Sequence, residues 1–359
     1  LRSDFLTTGP EVEKFEAALA EACGARYAVA VSSGTAALHC AYAAIGIGPG
    51  DEVVMSPLTF SATANAVLAL GGRPVFADVD PRTLCLDPDR AEEAIRPRTK
   101  AIAAVDFAGC PATLDEMKAI AEEYYLFLIE DAAHSFGGWY KGRPVGAIAD
   151  VTTFSFHPVK AITTGEGGTV VTNDVWIDRA ARKFRNHGIV RSPYLAESIG
   201  LWRYEVESLG LNYRLTDFQS ALGRSQLRKL DRFVARRRAI AARYRAALGD
   251  APGLTLPPDS PDVDHAWHLF PVRVPPVARR AFVEGLHARG VGAQVHYTAV
   301  NDLRLYRQLG CDPRETPHAL AASASLASLP LYPALTDDEV EQLIAAVRET
   351  LAACIAGAS

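Results

Sequence analysis

Apolar and polar positions follow two alternating rhythms along the first half of the chain. Behind Pro10, the residues Val12, Phe15 and Leu19 recur at helical spacing and Gly24 follows them, which predicts a helix with a proline start and a glycine stop. Residues 27–31 then read as a strand, and the strand pattern returns at 52–55, 73–78, 100–107, 126–130, 151–156 and 169–172. Several of these runs are continuously apolar, as in strands covered on both faces. Helical stretches such as 36–44 and 62–70 fall between them. From residue 10 to about 175 the alternation predicts an α/β domain with a mostly parallel sheet.

The rhythm changes after Asp217, where the chain reads as one helix up to about Leu248. A loop with four prolines occupies 252–264. Extended runs at 267–274 and 292–296, with helices at 278–289 and from 337 to about 353, predict a smaller α+β unit. The division expected is a large domain over 1–235 and a small C-terminal domain over 236–359, with the long helix carrying the chain between them. Neither a repeat nor a low-complexity tract interrupts this order.

With 359 residues the chain is long enough for two real cores. Hydrophobic residues at 49% and charged residues at 22% exclude a disordered, collagen-like or coiled-coil protein. The net charge of -5 and the scatter of Lys and Arg exclude a nucleic-acid footprint; the run Arg236, Arg237, Arg238 beside Arg243 and Arg245 reads as a solvated helix face. Six separated cysteines form no C-x-x-C pair, and they read as reduced, mostly buried residues of a cytoplasmic protein. Nothing resembles a signal peptide, and no apolar run approaches the roughly 20 residues that a membrane helix needs.

Four sites could carry chemistry. Ser32-Ser33-Gly34-Thr35 lies between a strand and a helix, where free N–H groups and the helix dipole cradle an anion; an ordinary cap by Ser33 accounts for the same residues. Asp131 ends an apolar strand, so its carboxylate either faces the ligand crevice of a parallel sheet or caps the following turn. Lys160 follows Ser155-Phe156-His157-Pro158-Val159 and precedes Gly165-Glu166-Gly167-Gly168. A lysine flanked by apolar residues can be desolvated into a nucleophilic amine, though it could also be a surface lysine. Gly210-Leu211-Asn212-Tyr213-Arg214 reads only as a polar turn before a helix. The histidines His134, His157, His187, His265, His268 and His296 match no metal-ligand spacing, so no metal is expected.

Together these segments resemble the sugar aminotransferases of the DegT/DnrJ/EryC1/StrS family, from Leu6-Thr7-Thr8-Gly9-Pro10 to Leu329-Pro330-Leu331-Tyr332-Pro333. The resemblance implies an aspartate-aminotransferase-type fold and pyridoxal 5'-phosphate (PLP) as cofactor. Lys160 would hold the cofactor covalently and Asp131 would pair with its ring nitrogen. The Gly34 and Thr35 amides and Ser155 would hold its phosphate, Phe60 would stack on its ring, and His134 would approach its phenolic oxygen. Asn212 would reach the phosphate of a second subunit, which implies a homodimer with shared active sites.

Several stretches are most similar to the pseudaminic-acid pathway aminotransferases, which aminate carbon 4 of a UDP-linked 4-keto-6-deoxy-N-acetylated sugar. They are Val105-Asp106-Phe107-Ala108-Gly109, the segments around Lys160 and Asn212, Ala266-Trp267-His268-Leu269 and Val295-His296-Tyr297. His296 and Tyr297 would then meet the sugar, and the nucleotide would lie in a cleft between subunits; from charge alone, Arg203 or Arg214 would meet its phosphates. Asn301 departs from that subgroup, which usually has a second His there, at a position expected near the sugar pocket. The implied reaction takes an amino group from L-glutamate. Other nucleotide-linked keto-sugars are the alternative substrates. A sugar dehydratase of this fold would replace Lys160 by His, and a non-catalytic regulator would be expected to lack Lys160 or Asp131.

Overall fold

The computed structural model describes residues 4–191, 197, 199–200 and 202–356. Pro10 occupies the first turn of helix α1 (Pro10–Ala22), and Gly24, at φ +62, turns the chain into strand β1 (Tyr27–Val31). Ser33 caps α2 (Gly34–Ala44) by accepting the Ala36 N–H at 3.0 Å. The chain continues through β2 (Glu52–Met55), α3 (Ala62–Ala69), β3 (Arg73–Phe76), α4 (Pro88–Glu93), β4 (Thr99–Val105), α5 (Leu114–Glu123) and β5 (Phe127–Asp131). A short hairpin of β6 (Trp139–Tyr140) and β7 (Arg143–Pro144) precedes β8 (Val151–Ser155), β9 (Gly168–Thr172) and α6 (Val175–Phe184).

Seven of these strands form one sheet in the order β1-β9-β8-β5-β4-β2-β3. Its members are parallel except β9, which runs antiparallel to both β1 and β8. Alternation along the strands explains the layers. Val53 and Met55 point into a core shared with Leu38 and Tyr42 of α2, whereas Val54 between them faces a second core with Leu114 and Met117 of α5. With helices on both faces, the strands need no polar side, and this accounts for their continuous apolar runs. The carboxyl ends of β4, β5 and β8 stop at Val105, Asp131 and Ser155 along one rim.

Past residue 216 the expected single helix is two, α7 (Asp217–Leu227) and α8 (Leu230–Leu248). Thr216 and Gln219 close a reciprocal capping box on α7, and Arg228 and Lys229 form the break before α8. Leu230 and Val234 pack with Phe15, Phe136, Phe154 and Phe156. Ile240, Tyr244 and Leu248 belong to a separate core with Phe270, Phe282, Val340 and Val347. Thus α8 begins in one core and ends in another.

Within that second core the extended run at 267–274 is a strand only over Phe270–Arg273, paired antiparallel with Leu326–Leu329. Trp267 stands outside it at φ +50, stacked on His265 with ring centroids 3.8 Å apart. The segment 292–296 is not a strand and makes a single bridge, Gln294 with Ser328. Helices Pro276–Ala288 and Asp337–Ala356 complete the unit. Among the described residues, no helix is long and apolar enough to cross a membrane.

Candidate active site

The rim formed by β4, β5 and β8 encloses a cavity of about 290 Å³, lined by Gly34, Thr35, Phe60, Asp131, His134, Ser155, Lys160 and Tyr297 among others. Lys160 reaches it from the turn after β8, in which its backbone N–H bonds to the His157 carbonyl at 2.9 Å. Burial pushes the Lys160 amine down to about 8, and the nearby Asp131 carboxylate opposes that shift. The lysine is therefore the desolvated one of the two alternatives left by the sequence.

Asp131 sits at the last position of β5, nine-tenths or more buried. Its Oδ2 accepts the Thr63 hydroxyl at 2.6 Å, and its Oδ1 accepts the Ala133 N–H at 3.3 Å. Burial raises its pKa above the ordinary carboxylate range, while the Thr63 and Ala133 bonds and Lys160 pull it down. A buried carboxylate with fixed oxygens can hold a proton on an aromatic nitrogen placed against it.

At the other end of the cavity, α2 begins beside β8. A Cβ built on Gly34 would lie 2.8 Å from the Ser155 Cβ, so only glycine allows this approach. First-turn N–H groups of a helix have no partner inside it, and Gly34, Thr35 and Ser155 line the same end of the cavity. A phosphate fits this cradle, and a planar ring fits between it and Asp131. Phe60 is 61% exposed, which excludes a plain core role, and it forms one wall of the cavity with its ring 6.3 Å from that of Tyr297.

A histidine cluster closes the cavity. His134 Nε2 meets the Tyr297 hydroxyl at 3.1 Å, and its ring lies 4.4 Å from that of His268. Burial first, then the positive charge of Lys160, holds both imidazoles well below their usual pKa, so both are neutral. Nδ1 of each is buried without a partner among the described residues. His296 Nδ1 meets the Ser328 hydroxyl at 3.0 Å beside Lys160.

Arg203, Asn212, Arg214 and Asn301, which the sequence singled out, do not line this chain's own cavity, and Arg203 pairs with Glu205. Asn212 is exposed in a bridge to Asn186, and Arg214 donates to the Asn186 side chain at 2.7 Å. Asn301 lies off the cavity wall: it is buried and donates to the Thr316 hydroxyl at 2.8 Å, with its Oδ1 unpartnered among the described residues. Thr63 and Ser328 were missed. Thr63 faces the cavity from the first turn of α3, three residues after Phe60, and no motif marks it because its role depends on the fold bringing α3 against β5.

A sequence model of the DegT/DnrJ/EryC1/StrS aminotransferase family matches residues 1–348. The spore coat polysaccharide biosynthesis protein SpsC of Bacillus subtilis is 43% identical, over 97% of this chain and 92% of that protein. PseC of Helicobacter pylori, an aminotransferase involved in the biosynthesis of pseudoaminic acid, is 33% identical and superposes with a TM-score of 0.92, covering 98% of this chain and 94% of that one. Spr1654 of Streptococcus pneumoniae, solved in a PLP form, is 28% identical with a TM-score of 0.92 over 98% of this chain and 94% of its own.

Proposed function

We propose, from the premise that this chain belongs to the DegT/DnrJ/EryC1/StrS aminotransferase family and is a PLP-dependent sugar aminotransferase, that it moves an amino group from L-glutamate to the 4-keto carbon of a UDP-linked 4-keto-6-deoxy-N-acetylated sugar. The observation that carries amine transfer is the desolvated Lys160 amine sharing one cavity with the buried, fixed Asp131 carboxylate. The likeness to PseC supports the substrate, together with His296 and Tyr297 beside Lys160.

Bound PLP supplies an aldehyde that accepts the amino group and a ring that withdraws electrons from the neighbouring carbon. Lys160 holds the cofactor covalently. With the amino donor in place, its Nζ would take a proton from the donor's α-carbon, the general-base role that a neutral amine of depressed pKa suits. Asp131 keeps the ring nitrogen protonated, and Thr63 fixes the oxygen that does so. Gly34, Thr35 and Ser155 bind the phosphate, Phe60 covers the ring, and the neutral His134, held by Tyr297, faces the phenolic oxygen. Arg214 and Asn212, absent from this subunit's cavity, serve the site of a second copy, making the active unit a homodimer.

The test follows 2-oxoglutarate release from L-glutamate with the UDP-linked 4-keto-sugar, for wild type and Lys160→Ala. Turnover with this sugar, lost in the variant, supports the reading. Turnover only with a differently linked keto-sugar would keep the enzyme class and overturn the substrate.

A further inference from the structure

The register of the sheet sorts the ends of its central strands between two faces. Ala104 pairs with Glu130 and Val105 with Asp131, while Glu130 pairs with Thr152 and Asp131 with Thr153. Residues opposite one another in a parallel pair share a face, and successive residues alternate. Val105, Asp131 and Thr153 accordingly line the cofactor cavity. Glu130 and Thr152 point to the back of the sheet, as does Asp106, two residues past Ala104, whose N–H continues the ladder to the Asp131 carbonyl at 3.1 Å.

On that back face Asp106 and Glu130, both fully buried, stand within hydrogen-bonding reach of each other. Glu130 Oε2 accepts the Thr152 hydroxyl at 2.8 Å, and the Gly146 N–H lies near its carboxyl; its Oε1 has no partner among the described residues. Asp106 Oδ1 accepts the Ala112 N–H at 2.9 Å, and its Oδ2 accepts the Ser135 hydroxyl. Neither carboxyl forms an ion pair among the described residues. The titratable groups against the pair are Asp131 on β5 and two thiols, Cys23 after α1 beside Glu130 and Cys85 beside Asp106. Asp106 also reaches the histidine cluster through its neighbours. Ser135 directly follows His134, and a Cβ on Gly109 would lie 2.8 Å from the His134 carbonyl oxygen and 2.9 Å from the His268 nitrogen. The turn that starts at Asp106 is thus wedged between the His134 and His268 backbones.

We propose that Asp106 and Glu130 share one proton and act as positioning residues for amine transfer: the bonded pair fixes Ser135, and with it the His134 turn, and leaves one negative charge behind Asp131 instead of two. The inference rests on the role given to Asp131. Two buried carboxyls without a cation do not both ionise, because each charge loses its water and faces its like. A proton between them gives Glu130 Oε1 its missing partner. Burial, and for Asp106 the charge of Glu130 next, raises both above the ordinary carboxylate range. The proton belongs to the pair and to neither residue alone.

Both groups ionise at about 4 in the unfolded chain, so folding takes up the shared proton. Its contribution to stability is complete below about pH 4 and is lost as the pH rises through the pair's raised value. The experiment compares the cofactor-free wild type with Asp106→Asn and Glu130→Gln, whose amides donate the same hydrogen bond without a titrating proton. Between about pH 5 and pH 7 the folding constant of the wild type should fall, relative to that of Asp106→Asn, by about tenfold per pH unit; the Lys160 contribution cancels in this ratio. Infrared difference spectra at neutral pH should show a protonated carboxyl band in the wild type that both variants lack. In the PLP-loaded enzyme Asp106→Ala should lower kcat by about ten- to a hundredfold with little change in KM for L-glutamate, and Asp106→Asn should restore most of that loss. Parallel pH slopes with an unchanged carboxyl band overturn the shared proton. Equal loss of kcat in Asp106→Ala and Asp106→Asn overturns the positioning role. Full turnover in Asp131→Ala would overturn the role of Asp131 and the charge argument with it, while the slope and the band still decide the proton.

Discussion

The Lys160 amine sets the pH behaviour of the site. Its pKa near 8 lies below the value of 10.5 that the residue has when exposed. Below about pH 8 the folded and unfolded chains both carry the proton, so the burial cost is present in full. Between about 8 and 10.5 the unfolded chain binds more protons, and the stability of the cofactor-free protein rises with pH through that window. Covalent capture of PLP needs the neutral amine, so its rate, read by borohydride trapping on Lys160, should follow an apparent pKa near 8; a rate still climbing toward pH 10 would mean the amine is not desolvated. At Asp131, the Ala variant should lower turnover by about 10²–10³-fold with little change in melting temperature. Thr63→Val should lower turnover by a smaller factor, because it frees one Asp131 oxygen and leaves the carboxylate in place. Asp131 and Lys160 were legible in the sequence because each stands at a strand end or in a turn whose neighbours announce it. Thr63 was not, since its contact spans 68 positions and depends on how α3 crosses β5.

Two junctions between elements place the site. The start of α2 against β8 tolerates no side chain at residue 34, so Gly34→Ala should loosen the phosphate cradle and weaken PLP binding by about tenfold or more, read by equilibrium dialysis of cofactor into the apoprotein. The second junction is α8, whose Arg237 ties the helix to the carbonyls of Trp267, His268 and Leu331. Burial without a carboxylate partner lowers this guanidinium to about 10. Arg237→Met should lower the melting temperature by several degrees, because three buried carbonyls lose a charged donor. The elements themselves were legible wherever packing on both sides demands apolar runs: β1 and β2 fall on residues 27–31 and 52–55 as expected. The break at Arg228 and Lys229 was not legible, because the helical residues on both sides continue the same pattern. Nor was the loss of strand at 292–296, where among the described residues Gln294 alone makes a backbone bridge across the gap.

At the scale of the molecule, large apolar side chains stand in solvent along 199–222, including Trp202 and Leu209, each 78% exposed, and Phe218 at 49%. Leu6, 52% exposed, is tied to the start of the same helix, its carbonyl accepting the Asp217 N–H at 3.0 Å. A second copy covering this face would agree with the proposed reach of Asn212 into the other subunit's site. Leu209→Asp combined with Trp202→Asp should give a monomer by light scattering and should lose activity in parallel; an active monomer would refute shared sites.

The inserted antiparallel strand has a consequence for synthesis. Among the described residues, strand β1 hydrogen-bonds within the sheet only to β9, and its other bridge joins Val31 to Arg214. A ribosome making about 5–20 residues per second takes on the order of ten seconds to go from the end of β1 to the end of β9. For that interval the segment Tyr27-Ala28-Val29-Ala30-Val31 has no sheet partner, while β2 to β5 can already pair with one another. The nascent chain should therefore assemble its sheet from the middle outward, and its first strand is the part that a holding chaperone would meet longest.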